Sequence, residues 1–162
     1  DKDIAAIDIG GGSVQFMYGN KTTLKKVIKL NTGALFLKNK FLKTDPANEV
    51  DYRIIEKYIS TQIDKIDIKF SPDTPLIHGS TFIPSSLSSQ HPFAVEINTI
   101  RELYYEMRLL PKEERNKYFP SQPDYTDGCC IGFANILAVA EKTGLVYELP
   151  SNNSIIQGFL TQ

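Results

Sequence analysis

The chain is poor in the features that would announce a metal cluster, a nucleic-acid surface or a membrane anchor. Its two cysteines, Cys129 and Cys130, are adjacent. They have no partner at Cys-x-x-Cys spacing, so no zinc site is readable, and they read as buried thiols in an apolar helical stretch. Histidine is equally scarce. His78 ends an apolar run and reads as a structural residue, while His91 beside Pro92 reads as loop. A net charge of −1 and a pI near 6.2 leave no general electrostatic footprint for nucleic acid or an anionic membrane. No apolar run approaches a membrane span and no signal peptide is visible, so a cytosolic protein is expected. Internal repeats, low-complexity tracts and interdomain linkers are missing too. So is an initiator Met, which suggests that the 162 residues are an excised piece of a longer chain.

What remains is an ordinary globular composition, 41% hydrophobic and 23% charged, sufficient for one cored domain. Against that background one octet stands out, Asp8-Ile9-Gly10-Gly11-Gly12-Ser13-Val14-Gln15. The run Ile4–Ile9 is nearly continuous in apolar residues, as in a strand buried on both faces. Asp8 interrupts it. An acid there is costly unless hydrogen-bonded or paired with a cation, which makes Asp8 a candidate for binding Mg²⁺ or orienting a water. Three glycines allow φ > 0 and let backbone N–H groups approach an anion. Ser13 adds a hydroxyl donor, and Val14–Tyr18 alternates as a return strand. The competing reading is a tight turn with Asp8 as a local cap.

Further along, Leu24–Leu30 alternates as a third strand with Lys25 and Lys29 on its wet face. These lysines either guard a sheet edge or, with Lys21 and Lys26, form a short path for a polyanion. Thr32–Phe41 reads helical. Asn48 can cap a long helix whose apolar face comprises Val50, Ile54, Ile55, Tyr58, Ile59, Ile63 and Ile66. Leu76–His78 reads as a short strand running into Gly79-Ser80-Thr81, a second candidate anion or nucleotide contact. Thr99 and Glu102 form a capping box for a helix over Ile100–Leu110, and Pro111 opens a further helical turn through Lys117. Gly128–Lys142 is apolar nearly all round and predicts a buried central helix stopped by Gly144 at C′. Leu145–Leu149 reads as a strand and Ser154–Leu160 as a terminal helix.

The octet resembles the second phosphate loop of the actin/Hsp70/sugar-kinase superfamily, and above all that of the exopolyphosphatase and guanosine pentaphosphate phosphohydrolase family. Gly33-Ala34 with Phe41–Pro46, Leu76–Thr81, Asp124–Gly132 and Ser151–Leu160 extend the likeness along the chain. The resemblance implies an actin-like (ribonuclease-H-like) α/β lobe over 1–162, the second domain of a two-lobe phosphohydrolase. Its mixed sheet would have about five strands, the first three antiparallel neighbours, with helices on both faces.

By that resemblance Asp8 and Gln15 occupy the catalytic positions and Asp8 the metal position, for Mg²⁺. Gly10, Gly11, Gly12 and Ser13, with Gly79, Ser80 and Thr81, would bind phosphate. The substrate would be polyphosphate or guanosine pentaphosphate, the partner the missing N-terminal lobe, and a homodimer an open alternative. Three positions depart from the family pattern. Gln15 stands where the family carries Glu, Ile156 where it carries Arg, and Tyr125 where it tends to place Arg. These losses favour a second reading, a catalytically silent phosphate, polyphosphate or alarmone binder. A third reading, an ATP-dependent kinase of the same superfamily, would need adenosine contacts near Gly79 and Gly132.

Overall fold

The structure, a computed structural model, describes residues 3–20, 22–71, 74–78, 95–120 and 123–150. Three consecutive strands come first: β1 (Ile4–Ile9), β2 (Val14–Gly19) and β3 (Leu24–Leu30). Helices α1 (Ala34–Phe41) and α2 (Glu49–Ile63) follow, then β4 (Leu76–His78). A two-residue strand β5 (Val95–Glu96) leads directly into α3 (Ile97–Met107) and the single turn α4 (Lys112–Arg115). The long α5 (Cys129–Thr143) and β6 (Tyr147–Pro150) complete the described elements.

The six strands form one mixed sheet in the order β3-β2-β1-β4-β6-β5. The β1-β2-β3 meander is antiparallel, β4 and β6 run parallel to β1, and β5 is antiparallel to β6. The sixth strand, Val95–Glu96, is one more than expected from the pattern, being too short to show any alternation. The α/β, actin-like reading of the sequence is otherwise the observed architecture. A terminal helix over Ser154–Leu160 lies outside the described residues.

The period of two along β1 sorts its side chains. Ala5, Ile7 and Ile9 are buried, and they join Val14, Phe16 and Leu30 of the neighbouring strands in the core. Alternate positions, Ala6 and Asp8 among them, are half-buried on the opposite face. Over the core face lies α5, packed against α1, α2 and α3 and buried along nearly its whole length. It ends at Gly144, whose φ of 85° is the left-handed conformation that glycine adopts without strain.

Two helix readings need correction. Asn48 does cap α2, accepting from Asp51 N–H at 2.9 Å. The buried stripe, however, is Tyr52, Ile55, Ile59 and Ile63, while Val50 and Ile54 are 63% and 45% exposed. Ile54 sits one residue, about 100° of arc, from Ile55, so an isoleucine pair cannot share one face. The Thr99–Glu102 capping box is also absent, because α3 begins three residues earlier. Ile97 N–H donates to Val146 C=O at 3.0 Å, so the sheet edge starts this helix and no side chain caps it.

Candidate functional site

The β1–β2 hairpin presents Gly10–Ser13 at the carboxyl end of β1. Gly10 N–H donates to Ser13 C=O at 3.0 Å and closes the turn. None of the three glycines is in the left-handed region, which Gly144 alone occupies among the described residues. The expected φ > 0 is therefore not what the glycines supply. Their small size matters instead, and most of all at Gly33, at the head of α1. A Cβ on Gly33 would fall closer than 3.0 Å to the backbone of Gly11, Gly12 and Ser13. Helix α1 thus packs backbone-to-backbone against the loop.

That contact decides which loop atoms are free. Ala34 N–H donates to Gly10 C=O at 3.0 Å and Phe36 N–H to Gly11 C=O at 2.9 Å. The first turn of α1, whose amides have no partner within the helix, thereby ties down the loop carbonyls. The amides of Gly11, Gly12 and Ser13 make no backbone bond among the described residues. Gly11 and Gly12 are exposed, and a Cβ built on Gly12 meets nothing within 4 Å, so the tip of the loop is open to solvent. Amides without a backbone partner on an exposed loop tip, with the Gly10 and Gly11 carbonyls already engaged, are the makings of an anion cradle.

Beside the cradle, Asp8, Gln15 and Lys29 stand in one row across β1, β2 and β3, each directly opposite its neighbour in register. Paired positions of antiparallel strands share a face, here the one away from Ile7 and Phe16. Gln15 Nε2 donates to Ser13 Oγ at 2.7 Å. With that lone pair occupied, the Ser13 hydroxyl proton is available to another acceptor. Asp8 is the one carboxylate of the row, and no cluster of three His, Cys, Asp or Glu suited to a metal exists among the described residues.

Other candidates fall elsewhere. Gly79, Ser80, Thr81 and Ile156 lie outside the described residues. Because β4 runs parallel to β1 with His78 beside Ile7, both strands end at the same edge of the sheet. His78 itself is buried on the core face. Lys25 is engaged at the meander by Asp3, 2.6 Å away, which the Tyr18 hydroxyl also contacts. Tyr125 is partly exposed in a 3₁₀ turn (Pro123–Asp127). Cys129 and Cys130 are buried with their Sγ atoms 3.7 Å apart, and the mutual hydrogen bond with burial pushes the Cys129 thiol well above its ordinary pKa.

A separate cleft of about 330 Å³ has walls that include Lys38, Asp45, Lys112, Arg115 and Asp127. Its charges answer one another. Asp127 meets Lys38 at 2.8 Å and Lys112 at 3.1 Å, and Asp45 meets Arg115 at 3.2 Å. Burial raises the Asp127 pKa, but hydrogen bonds from Lys38 and Lys112 prevail and hold it below the usual carboxylate value.

Comparison with known proteins agrees with the hairpin and its surroundings. The family model of the Ppx/GppA phosphatase family matches residues 1–128. The chain belongs to the Ppx/GppA phosphatase family. Among solved structures, the Aquifex aeolicus Ppx/GppA phosphatase in its type II variant superposes with a TM-score of 0.87 at 17% identity. An exopolyphosphatase from Cytophaga hutchinsonii gives 0.81 at 21% identity. Each comparison covers 99% of this chain and 56% of the other, so the chain spans about half the length of these relatives. At such identities the likeness shows a shared Ppx/GppA fold. No curated protein sequence matches the chain.

Within the family match fall the loop, the Asp8-Gln15-Lys29 row and Gly33. Gly33 escaped the reading of the sequence as a site residue. Its signal was there, a glycine at the head of a short helix just after the third strand. No local pattern, however, reveals that a helix start will meet a hairpin 20 residues upstream.

Proposed function

We propose that this chain is one lobe, the second, of a two-lobe phosphohydrolase that removes terminal phosphate from polyphosphate or guanosine pentaphosphate. The observation that carries the reading is the cradle, with loop carbonyls held by α1 and loop amides left without backbone partners at an exposed tip. The name of the Cytophaga hutchinsonii relative, an exopolyphosphatase, supports the substrate class.

In this reading the amides of Gly11, Gly12 and Ser13 and the Ser13 hydroxyl receive the oxygens of the terminal phosphate. They stabilise the charge that develops during transfer, in a loop already fixed before the substrate arrives. Gln15 holds Ser13 so that its proton points outward. Lys29 adds a positive charge along the row. Asp8 orients the attacking water or holds a cation. Mg²⁺ characteristically takes one or two protein carboxylates and completes its shell with water and substrate phosphates, so a single Asp8 fits that role although no all-protein cage exists among the described residues. A cation bound there would supply charge neutralisation on the transferring phosphoryl group. The general base would come from the other lobe.

A second reading, a silent phosphate binder, is favoured by one feature: the row contains a neutral Gln15 opposite Asp8, so the site has one acid. Phosphate release from polyphosphate and guanosine pentaphosphate by the intact parent protein with Mg²⁺, beside an Asp8→Ala variant, decides between them. Release that disappears in the variant supports the hydrolase. A folded protein that binds tripolyphosphate but releases nothing, and gains no turnover from Gln15→Glu, is a binder.

A further inference from the structure

We propose that Asn135, in the middle of α5, is a positioning residue that holds the glycine loop in its anion-receiving shape. Asn135 is fully buried in a helix whose neighbouring buried positions are Ile131, Phe133, Ala134, Ile136 and Leu137. Its amide spends both hydrogens on backbone carbonyls, that of Thr32 at 3.0 Å and that of Ile131 one turn back at 2.9 Å. Its Oδ1 and the Thr32 hydroxyl are both buried with no protein partner among the described residues. A core chosen for stability alone would place an apolar side chain here, since each orphaned buried atom forfeits its hydration. The reason for the amide lies in what it grips.

Thr32 is fully buried and immediately precedes Gly33. Gly33 lies against the backbone of Gly11–Ser13, and the next residues donate from Ala34 to Gly10 and from Phe36 to Gly11. One side-chain bond from the central helix therefore fixes the segment on which the whole loop rests. Asn135 is 103 residues from Thr32 in sequence and lies beyond the stretch matched by the family model, so neither local pattern nor that match singles it out.

The inference rests on the phosphate-cradle reading for its consequence, and two measurements on the intact protein separate them. The first is amide hydrogen exchange in Asn135→Leu, which keeps the core filled, and in Asn135→Ala as a smaller alternative. Exchange at Ala34 and Phe36 should rise roughly tenfold or more while the amides of Ala138–Lys142 stay protected. The second is binding of inorganic tripolyphosphate, which should weaken roughly tenfold in both variants, as expected when the groups that hold a site in place are loosened. Unchanged exchange at Ala34 and Phe36 overturns the proposal, and so does faster exchange with full tripolyphosphate affinity. If the wild-type protein binds no tripolyphosphate, the cradle reading fails, and the exchange comparison still decides the role of Asn135.

Discussion

The glycine loop and the charged cleft beside α4 are built on opposite plans. In the cleft Lys38 and Lys112 pair with Asp127 and Arg115 with Asp45, at 2.8 to 3.2 Å. The backbone also joins in, with Lys112 N–H donating to the Asp45 carboxylate at 2.9 Å. The loop gathers little charge and leaves its donors unmatched, although it is held from behind by three backbone hydrogen bonds. Cations that already hold carboxylates have small reason to bind an anion. A region that is rigid, small-residued and short of acceptors does. Charge density is thus the poorer guide to function in this molecule, and unmet hydrogen-bonding capacity the better one.

The sharpest way to break the comparison is to take away the support behind the loop. In Gly33→Ala the new methyl must displace the backbone of Gly11–Ser13, which no side-chain rotation can relieve. Overpacking of this kind costs typically 1–3 kcal/mol, and with backbone on both sides the expected loss is about 3 kcal/mol. Urea denaturation measures it. A loss below roughly 1 kcal/mol would show that α1 and the loop are not rigidly joined.

A smaller effect is expected in the cleft. Since the folded Asp127 pKa lies below its ordinary value of 3.8, its pairing stabilises the fold above that pH. The contribution is then lost as pH falls through the folded value. Asp127→Asn should cost about 1 kcal/mol near neutral pH, the upper range for partly exposed pairs. The gap from the wild type should close on acidification below 3.8 and leave tripolyphosphate binding unaltered. Stability curves against pH for both proteins test the first part. A pH-independent gap would assign the loss to packing, and weakened anion binding would join the two regions that the comparison separates.

The sequence showed the loop itself, because Gly-Gly-Gly-Ser after an apolar strand with an internal acid is a local pattern with a local cause. The meander, the Asn48 cap and the stop at Gly144 were legible for the same reason. What it could not show were relations across the fold. Val50 and Ile54 look like core residues until the sheet and α5 fix which arc of α2 is covered. Thr99 and Glu102 look like a cap until the β5–β6 edge begins α3 earlier. Gly33 and Asn135 are ordinary residues whose importance comes from contacts with distant backbone. For Gln15 the sequence showed neutrality, and the fold added its hydrogen bond to Ser13 and its place between Asp8 and Lys29.

The finest test separates binding from stability at one atom. A methyl group on Gly12 meets nothing within 4 Å, and the backbone there is not left-handed, so Gly12→Ala introduces no clash and no strain. Alanine also restricts the unfolded chain more than glycine does. A change from zero to about 1 kcal/mol in favour of folding is therefore expected. The methyl would nevertheless add bulk at the exposed tip of the loop, where an anion must approach the amides to about 2.9 Å to accept a hydrogen bond. Tripolyphosphate binding should weaken about tenfold or more, the equivalent of roughly 1.4 kcal/mol. Calorimetric titration beside thermal unfolding reads both quantities on the same protein. Full affinity in a normally folded Gly12→Ala variant would mean that the anion does not sit over the loop, and the contrast with the self-paired cleft would lose its functional meaning.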